Sequence, residues 1–491
     1  MSSNTTTTPL YTVPLLINGK EIVTSTTFPV ISPSSHSEIW HSSSASVSDA
    51  HSACTAASAA FPAWSKTKPA FRRTILLKAA DILEKRAQEC GEFMMLETGA
   101  EQGFAGGFNV PLAVEMLRDV AGRISEVLGG TVPVCAEEGT SAFVLKEPFG
   151  VVLGIAPWNA PYILGTRAFL YPLAAGNTII LKGSELSPRC FHALGAALTS
   201  AGLPPGVLNI LYHRPADAAE VTTALIQHPA VKKINFTGST AVGRIVASTA
   251  GKALKPVLLE LGGKASAVVL DDADIERAAV ACAVGGFLHG GQICMATERI
   301  VVQSAILEEF VKAFQAKVKE MFHTDNPAPV LITAAGVEKN KKLVGDAVGK
   351  GAKVLLGNHE TEERHPETGK VSGTRMRPVV VGGVTRSMDV YHEESFGPSI
   401  SVVEVASEEE AVNVANDTEY GLSGAVFTKD LARGLRVARR IESGAIHINA
   451  MTVHDETNLP HGGVKSSGWG RFNGSWGLDE FLRLKTITFQ E

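Results

Sequence analysis

The stretch Lys233-Ile234-Asn235-Phe236-Thr237-Gly238-Ser239-Thr240-Ala241-Val242-Gly243 joins an apolar run to a Gly-Ser-Thr turn and then to a helical pattern. Residues 233–236 predict a β-strand, and residues 242–250 predict a helix. The first turn of such a helix exposes backbone N–H groups that can bind a phosphate. The turn lacks the usual GxGxxG spacing of a dinucleotide site, so this signal alone is weak. The stretch therefore predicts a βα unit with a place for an anion.

The same alternation of strand and helix continues on both sides of that unit. Further strands are predicted at 178–182, 207–211 and 256–259, and helices at 188–201 and 216–226. Short β-rich runs that alternate with helices indicate βαβ units and a parallel sheet.

A second alternating set follows residue 260. An acidic cap at 271–274, Ser407 and Asp430 each precede a helical run, as N-cap residues do. Strands are predicted at 300–302, 425–428 and 445–449. The predicted fold is therefore α/β, with two Rossmann-like parallel-sheet lobes joined near residue 260.

Two further elements are predicted outside these lobes. A helix is expected over 69–98, because its apolar residues fall on one face. Residues 481–489 alternate like an edge strand that needs a partner, which could come from another subunit.

The composition excludes several classes of function. The chain has 491 residues and a formal net charge of −5, so it offers no basic field for nucleic acid or an anionic membrane. No apolar run is long enough for a transmembrane helix, and residues 1–9 lack the features of a signal peptide. The six cysteines stand singly, without metal-ligand spacing, which favours reduced thiols in a cytoplasmic enzyme without a metal.

Cys294 directly follows the segment Gly290-Gly291-Gln292-Ile293 at the end of an apolar, helix-like run. Glycines let the backbone bend closely around a thiol, which a nucleophilic cysteine needs and a structural one does not. By itself, this setting would also suit a hydrolase, a redox switch or a structural turn.

Two other residues suit acyl chemistry. Asn159 lies in Ala156-Pro157-Trp158-Asn159-Ala160-Pro161, where flanking prolines stiffen the loop and the amide could donate to an oxyanion. An Asx turn is the structural alternative. Glu260 follows an apolar strand and precedes Gly262-Gly263. Burial there would raise its pKa toward neutrality, as suits a general base, unless it is a paired structural carboxylate.

Lys182 and Glu185 follow the strand predicted at 178–182. They could hold the hydroxyls of a nucleotide ribose, because a carboxylate suits a free 2′-hydroxyl and repels a 2′-phosphate. A solvated loop with two charges is the alternative.

Together these segments resemble the aldehyde dehydrogenase superfamily. The order Asn159, Lys182, GSTxxG (238–243), ELGGK (260–264) and GQxC (291–294) is similar to the order of that family's motifs. The second half agrees, with EESFGP at 393–398, NDTEYGLS at 416–423 and PHGGVKSSG at 460–468. Residues 453–456 look most like those of the salicylaldehyde and vanillin dehydrogenases, which oxidise aromatic aldehydes.

The resemblance implies a domain organisation. Residues 14–127 and 147–260 would form the NAD-binding domain, and 261–460 the catalytic domain. Residues 128–146 and 475–491 would form an oligomerisation element of a homodimer or homotetramer. Residues 1–13 are expected to be a disordered tail.

The resemblance also implies a mechanism. Cys294 would attack the aldehyde carbon, Asn159 would stabilise the oxyanion, and Glu260 would activate water to hydrolyse the thioester. The cofactor would be NAD rather than NADP, because Glu185 opposes a 2′-phosphate. The residues implied to hold it are Ile155, Trp158, Lys182, Glu185, Gly238, Ser239, Gly243, Glu394 and Phe396.

Two departures from the family pattern bear on the substrate. Arg167 stands where the family often has a bulky apolar residue, and His461 where it usually has Phe. Both positions are implied to lie near the substrate tunnel, so Arg167 could pair with a phenolate and His461 could face the ring. The structural alternatives are that Arg167 binds a protein carboxylate such as Asp455 and that His461 is a core histidine.

Three rival functions remain open at this point. A semialdehyde dehydrogenase would use Arg167 to hold the far carboxylate of an aliphatic substrate. A CoA-acylating enzyme is disfavoured because Glu260 is retained to activate water. A catalytically inactive scaffold is disfavoured because Asn159, Glu260 and Cys294 are all present.

Overall fold

The computed structural model describes residues 10–322 and 326–490. Among these residues the strands are β1 (Thr12–Val13), β2 (Leu15–Ile17), β3 (Lys20–Ile22), β4 (Thr27–Ile31), β5 (Glu38–Ser43), β6 (Thr140–Pro148), β7 (Val151–Ile155), β8 (Thr178–Lys182), β9 (Leu208–Leu211) and β10 (Val231–Thr237). The remaining strands are β11 (Val257–Glu260), β12 (Ala265–Val269), β13 (Thr297–Gln303), β14 (Lys353–Leu356), β15 (Val379–Gly382), β16 (Ser399–Val405), β17 (Ser423–Phe427), β18 (Ala445–Ile448), β19 (Gly468–Trp469) and β20 (Leu482–Gln490).

The helices alternate with these strands as the sequence predicts. They are α1 (Val47–Ser65), α2 (Pro69–Lys85), α3 (Ala87–Thr98), α4 (Gln102–Phe104), α5 (Val110–Val127), α6 (Pro161–Ala175), α7 (Pro188–Ser200) and α8 (Ala218–Gln227). The second half adds α9 (Thr240–Lys252), α10 (Ile275–Phe287), α11 (Leu307–Phe322), α12 (Ala334–Gly349), α13 (Asp389–His392), α14 (Glu408–Asn416), α15 (Leu431–Ala438) and α16 (Gly474–Asp479). The predicted caps are confirmed, because Asp274, Ser407 and Asp430 each accept backbone N–H groups of the following helix.

The first lobe is built on a sheet of order β19-β11-β10-β7-β8-β9-β2-β3. Strands β7 to β11 within it are parallel, and β2, β3 and β19 are antiparallel additions at its two ends. Every residue of α6 is buried, because this helix is apolar all round and packs between the sheet and α5. Helix α6 thereby carries Arg167 into the interior.

The second lobe is built on a sheet of order β14-β15-β16-β13-β12-β17-β18, which is parallel except for β14. Its strands β12, β13 and β17 are buried on both faces, as a parallel sheet covered by helices requires, and the end strands β14 and β18 are partly exposed. The two sheets confirm the predicted α/β fold with two Rossmann-like lobes. The predicted domain limits stay a prediction, and β19 returns from beyond residue 460 to join the first sheet.

Three predicted elements differ from the structure. The helix expected over 69–98 is two helices, because the backbone at Arg86, with φ −99° and ψ 11°, departs from helical geometry between α2 and α3. Most of the tail expected over 1–13 lies outside the described residues, but Thr12–Val13 are not disordered: they pair with β5. The strand expected over 481–489 finds its partner in its own chain, since β20 pairs with β6 along its full length.

The two-stranded sheet of β6 and β20 exposes apolar side chains. Phe143, Leu145, Ile487 and Phe489 lie on one face of this ribbon and are each 38–43% exposed. A ribbon of this kind leaves polar edges and an apolar face uncovered, which supports the predicted role in oligomerisation as a proposal. No helix within 10–322 and 326–490 is both long and apolar enough to cross a membrane.

Candidate active site

The site lies at the carboxyl edge of the first sheet. Ile155, Lys182, Thr237 and Glu260 are the last residues of four strands, β7, β8, β10 and β11. Ile155 is level with Lys182, and Thr237 is level with Glu260. Because parallel strands end at the same edge, residues distant in sequence meet there, and this edge is where open α/β sheets bind ligands.

The loop that carries Cys294 depends on its two glycines. Gly290 and Gly291 have φ angles of 63° and 76°, which L-residues with side chains rarely adopt. A Cβ atom on Gly291 would lie 2.2 Å from the carbonyl oxygen of Gly397. The side chain of Gln292 then fixes the loop, donating to the carbonyls of His289 and Val330 at 3.0 and 3.1 Å.

The three predicted catalytic residues meet beside this loop. The Sγ atom of Cys294 donates a hydrogen bond to Oε1 of Glu260 at 3.3 Å. The Nδ2 atom of Asn159 donates to the carbonyl oxygen of Gln292 at 3.0 Å, two residues before the thiol. A thiol, a carboxylate and an amide donor therefore lie within one small volume.

The pKa of Glu260 moves in the direction opposite to the expectation from sequence. Burial raises the pKa, but His461, Arg167 and the Cys294 thiol lower it, and the net pKa lies below that of an ordinary glutamate. The prediction of a neutral-range pKa is therefore wrong. Its physical reason is that two basic side chains, each distant in sequence, stabilise the carboxylate.

Cys294 is held as a thiol in this arrangement. Burial raises its pKa well above the ordinary value, and the neighbouring Glu260 carboxylate raises it further. Because the thiolate is the nucleophilic form, an acceptor for the thiol proton must lie close by. Oε1 of Glu260 is in that position.

Behind Glu260 lies a group of charged side chains that we call the base cluster: Glu260, Arg167, Asp455 and His461. Nη1 of Arg167 is 3.6 Å from Oε2 of Glu260, and Nη2 is 2.5 Å from Oδ2 of Asp455. Nε2 of His461 is 3.3 Å from Oε1 of Glu260. Arg167 therefore has the protein carboxylate partner named as the structural alternative, and its contact with a phenolate stays a prediction.

The base cluster is almost closed to solvent and only partly paired. Arg167 and Glu260 are each 1% exposed. Nε of Arg167 and Oε2 of Glu260 are buried without a hydrogen-bond partner, and Nε2 of His461 has only its 3.3 Å contact with Oε1 of Glu260. Asp455 is better held, since Nδ2 of Asn473 donates to its Oδ1 at 2.9 Å.

A cavity of about 280 Å³ opens on the other side of Cys294 and Glu260. Its wall includes the predicted residues Asn159, Glu260 and Cys294 together with Trp158, Gly238, Ser239, Glu394 and Phe396. The other predicted residues, Ile155, Lys182, Glu185, Gly243, Arg167 and His461, do not line this cavity. The cavity also includes Lys339, which carried no sequence signal because it lies on an ordinary charged helix.

The predicted phosphate-binding turn has the expected form. Ser239 caps α9 by accepting from the backbone of Val242, and the helix runs for 13 residues. A Cβ on Gly243 would lie 2.5 Å from the side chain of Leu261, so this glycine allows close packing of helix on strand. Farther along the edge, Nζ of Lys182 lies 3.9 Å from Oε2 of Glu185. A helix N-terminus on the cavity wall and a Lys–Glu pair on the same edge fit a dinucleotide.

A buried ion pair fixes the loop that carries Glu394 and Phe396. We call it the anchor pair: Nζ of Lys264 is 2.6 Å from Oε2 of Glu298. Glu298 also accepts the backbone N–H groups of Ser395 and Phe396 at 2.8 and 3.0 Å. Lys264 belongs to the ELGGK motif at 260–264, but no local sequence signal marks Glu298 as its partner.

Glu394 faces the cavity from this loop. Its Oε1 accepts the backbone N–H of Gly263 at 2.8 Å. Burial, with the nearby Glu298 carboxylate, raises the pKa of Glu394 to about 7. Phe396 has a φ of 49°, and its ring lies 5.9 Å from that of Trp158 in an edge-to-face arrangement.

Comparison with known families identifies the class of enzyme to which this fold belongs. The profile of the aldehyde dehydrogenase family matches residues 22–487. The chain belongs to the aldehyde dehydrogenase family. It is therefore an oxidoreductase that acts on aldehydes, in a family that uses NAD or NADP.

Individual relatives are similar over nearly the whole chain. A vanillin dehydrogenase of Pseudomonas fluorescens is 45% identical over 97% of this chain and 98% of its own length. The crystal structure of a salicylaldehyde dehydrogenase from Pseudomonas putida G7 complexed with salicylaldehyde superposes with a TM-score of 0.93, at 39% identity and 98% coverage of both chains. A betaine aldehyde dehydrogenase from Staphylococcus aureus in complex with NAD⁺ gives a TM-score of 0.92 at 29% identity, with 97% and 96% coverage.

Proposed function

We propose that this enzyme oxidises an aromatic aldehyde to its carboxylic acid with NAD⁺, through a covalent intermediate on Cys294. The observation that carries the proposal is the 3.3 Å contact between Sγ of Cys294 and Oε1 of Glu260, beside the Asn159 amide. A nucleophile in hydrogen-bond reach of a base, with an oxyanion donor alongside, is the arrangement that acyl chemistry requires.

In the first step Cys294 transfers its proton to Glu260 and attacks the aldehyde carbon. The C–S bond forms as the carbonyl π electrons move to oxygen. The Asn159 amide has a second N–H besides the one donated to Gln292, and it stabilises that oxyanion together with the Cys294 backbone N–H. Such a donor contributes about 3–4 kcal/mol to transition-state stabilisation in related chemistry.

The cofactor supplies the oxidising equivalent: when bound, its nicotinamide accepts the hydride from the former aldehyde carbon. The residues that would hold it are Ser239 at the helix N-terminus, Glu394, Phe396 and Trp158, with Lys182 and Glu185 farther along the edge. The thioester that remains on Cys294 is then hydrolysed. Glu260 first releases the thiol proton to solvent and is ionised again. It then accepts one proton of a water molecule, the water oxygen bonds to the acyl carbon, and the C–S bond breaks. The Cys294 thiolate that leaves takes this proton back from Glu260.

The proposed preference for NAD⁺ over NADP⁺ rests on Glu185. A carboxylate at the end of β8 suits a free ribose hydroxyl and repels a 2′-phosphate. Lys182 lies 3.9 Å away and offsets part of that repulsion. Comparing the dissociation constants of NAD⁺ and NADP⁺ tests this preference directly.

The aromatic substrate is proposed from the printed activities of the similar proteins, a vanillin and a salicylaldehyde dehydrogenase. The alternative, an aliphatic semialdehyde, would need Arg167 free to bind the far carboxylate of the substrate. Arg167 is 1% exposed and already paired with Asp455 and Glu260, which disfavours that alternative.

We also propose a homodimer or homotetramer assembled through the exposed apolar face of β6 and β20. The domain limits 14–127 with 147–260, and 261–460, stay part of this proposal. A cytoplasmic location is supported by the six free cysteines, four of which are fully buried thiols.

The test is NADH formation with benzaldehyde, salicylaldehyde, vanillin and succinic semialdehyde. We expect aromatic aldehydes to give the higher kcat/KM. Cys294→Ala should lower turnover by at least about 10⁴-fold while NAD⁺ still binds. Cys135→Ser, which changes a cysteine outside the site, is the matched control and should behave as the wild type. An active Cys294→Ala enzyme would contradict the mechanism, and preferred turnover of succinic semialdehyde would contradict the substrate class.

A further inference from the structure

The base cluster contains more charge than the proposed mechanism uses. Only Glu260 has a chemical step assigned to it, yet Arg167, Asp455 and His461 are buried with it at distances of 2.5–3.9 Å. Burying a charge is costly unless it is paired, so an arginine and a second carboxylate need a reason to be there.

The geometry gives Arg167 two carboxylates to hold, at unequal distances. Nη2 lies 2.5 Å from Asp455, within hydrogen-bond reach, whereas Nη1 lies 3.6 Å from Glu260, beyond it. The ring of Phe472 also holds the guanidinium in place, with Cζ of Arg167 5.6 Å from the centroid of the ring. Arg167 therefore presents a fixed positive charge to Glu260 without locking the carboxylate in a direct hydrogen bond.

Asp455 is in turn held by groups outside the site. Nδ2 of Asn473 donates to Asp455 at 2.9 Å and to the carbonyl oxygen of Glu456 at 3.1 Å. The hydroxyl of Tyr171 donates to Oδ1 of Asn473 at 3.1 Å. The chain of contacts ends on two buried residues, so the position of Asp455 is set by the fold and not by a ligand.

We propose that Arg167 and Asp455 form a positioning pair for Glu260, in which Arg167 keeps the buried base ionised and Asp455 prevents Arg167 from binding it outright. This inference rests on the proposed roles of Cys294 and Glu260 and assigns Arg167 to the base in place of the substrate phenol. Glu260 must accept the thiol proton, release it, and later accept a proton of water. It therefore has to return to its charged form between the two steps and remain free to move.

The electrostatic surroundings agree with this role. Burial alone would raise the pKa of Glu260, and a protonated carboxyl could not accept a proton from water. His461 and Arg167 oppose that rise, with His461 the larger cause, and Arg167 also lowers the pKa of Asp455 against the effect of burial. The titratable groups that face Glu260 directly are Cys294, Arg167 and His461, with Asp455 and Tyr171 behind them and Glu394 on the far side of Cys294.

Removing the positive charge of Arg167 and removing the negative charge of Asp455 should shift the pH dependence of kcat in opposite directions. Arg167→Gln removes the cation, so the acid limb of the kcat profile should move up by about one pH unit or more. Asp455→Asn removes the competing anion, so Arg167 would pair with Glu260 alone and lower its pKa further. The acid limb should therefore move to lower pH. Arg167→Lys keeps a cation and should restore most of the wild-type profile. A role in folding alone would lower activity in both variants without shifting the two profiles in opposite directions.

Two controls separate the possible explanations. Profiles are measured with benzaldehyde and salicylaldehyde, and the shifts should be equal for both. A loss confined to salicylaldehyde would overturn the positioning role in favour of phenol recognition. The opposite shifts should also persist in a His461→Gln background, because they come from Arg167 and Asp455. Their disappearance there, or shifts in the same direction, would overturn the proposal.

A readout without turnover separates this proposal from the proposed function. The rate of Cys294 alkylation by iodoacetamide is measured at each pH, with the site of alkylation identified by peptide mass. The dependence of this rate on pH gives the pKa of the thiol. Arg167→Gln should move that alkylation profile to higher pH, since Arg167 lowers the pKa of Cys294. An unchanged alkylation profile would overturn the positioning role even in an active enzyme. A shifted profile in a protein that oxidises no aldehyde would overturn the proposed function and leave the positioning geometry standing.

Discussion

The anchor pair and the base cluster are both buried charge clusters beside Cys294, but they differ in how completely their polar atoms are paired. Lys264 and Glu298 satisfy each other and three backbone groups of residues 393–396. In the base cluster, Arg167 and Glu260 each keep a buried atom without a hydrogen-bond partner. Buried polar groups are normally satisfied, so the unpaired atoms mark the cluster that has to change its hydrogen bonds during the reaction.

The difference in pairing indicates that the two clusters have different roles. The anchor pair fixes the loop that presents Glu394 and Phe396 to the cofactor cavity, and its role is to keep that loop rigid. The base cluster holds a carboxylate that must gain and lose a proton. A fully paired Glu260 would be a weaker and less mobile base, because each added hydrogen bond to the charged form lowers its pKa.

Glu298→Gln should give the largest change in stability. It leaves the buried Lys264 ammonium without a counter-ion, and the single amide oxygen cannot accept from both Lys264 and the backbone N–H groups of Ser395 and Phe396. Breaking a buried ion pair in this way costs about 3–5 kcal/mol. Urea unfolding followed by tryptophan fluorescence measures the loss.

The matched control is Glu404→Gln, an exposed glutamate on the neighbouring strand β16. It should change the free energy of unfolding by less than about 0.5 kcal/mol. Asp455→Asn should fall between the two, because it leaves Arg167 with Glu260 as a partner. If Glu298→Gln is as stable as the control, the anchor pair does not hold the loop as described.

A smaller effect is expected in the pH dependence of cofactor binding. The pKa of Glu394 is about 7, so this carboxyl is ionised above neutrality and protonated below it. An ionised carboxylate is the better acceptor for ribose hydroxyls, and a hydrogen bond to a charged group contributes about 1.5–3 kcal/mol. The affinity for NAD⁺ should therefore fall, by about tenfold, as the pH drops through 7.

Calorimetric titration with NAD⁺ from about pH 5.5 to 8.5 measures this dependence. Glu394→Gln should bind weakly at every pH and lose the transition, whereas the exposed neighbour substitution Glu393→Gln should keep it. In Glu298→Gln the midpoint should move to lower pH, since the Glu298 charge is one cause of the raised pKa. A flat wild-type profile would show that Glu394 does not contact the cofactor.

Much of the fold and the core of the site could be predicted from sequence. The strand–turn–helix at 233–243 and the caps Asp274, Ser407 and Asp430 follow from local patterns. Local patterns suffice there because N-caps, turns and strand periodicity are set by neighbouring residues. The joint role of Asn159, Glu260 and Cys294 is implied by the resemblance to the aldehyde dehydrogenases.

The errors concern interactions between residues distant in sequence. The direction of the Glu260 pKa depends on Arg167 and His461, which lie 93 and 201 positions away in the chain. The partner of the C-terminal strand is β6, over 300 residues earlier in the same chain, whereas the sequence leaves open a partner in another subunit. Glu298 has no local signal at all, since its role is defined by Lys264 and a loop about 100 residues later.

The most direct test of the central claim is the intact mass of Glu260→Gln after mixing with benzaldehyde and NAD⁺ at about pH 9. Removing the carboxylate lowers the pKa of Cys294, so attack can proceed at that pH, while hydrolysis lacks its base. The account predicts one NADH per active subunit in a rapid phase and a benzoyl group that accumulates on Cys294. Steady turnover at the wild-type rate without an adduct, or an adduct on another residue, would contradict it.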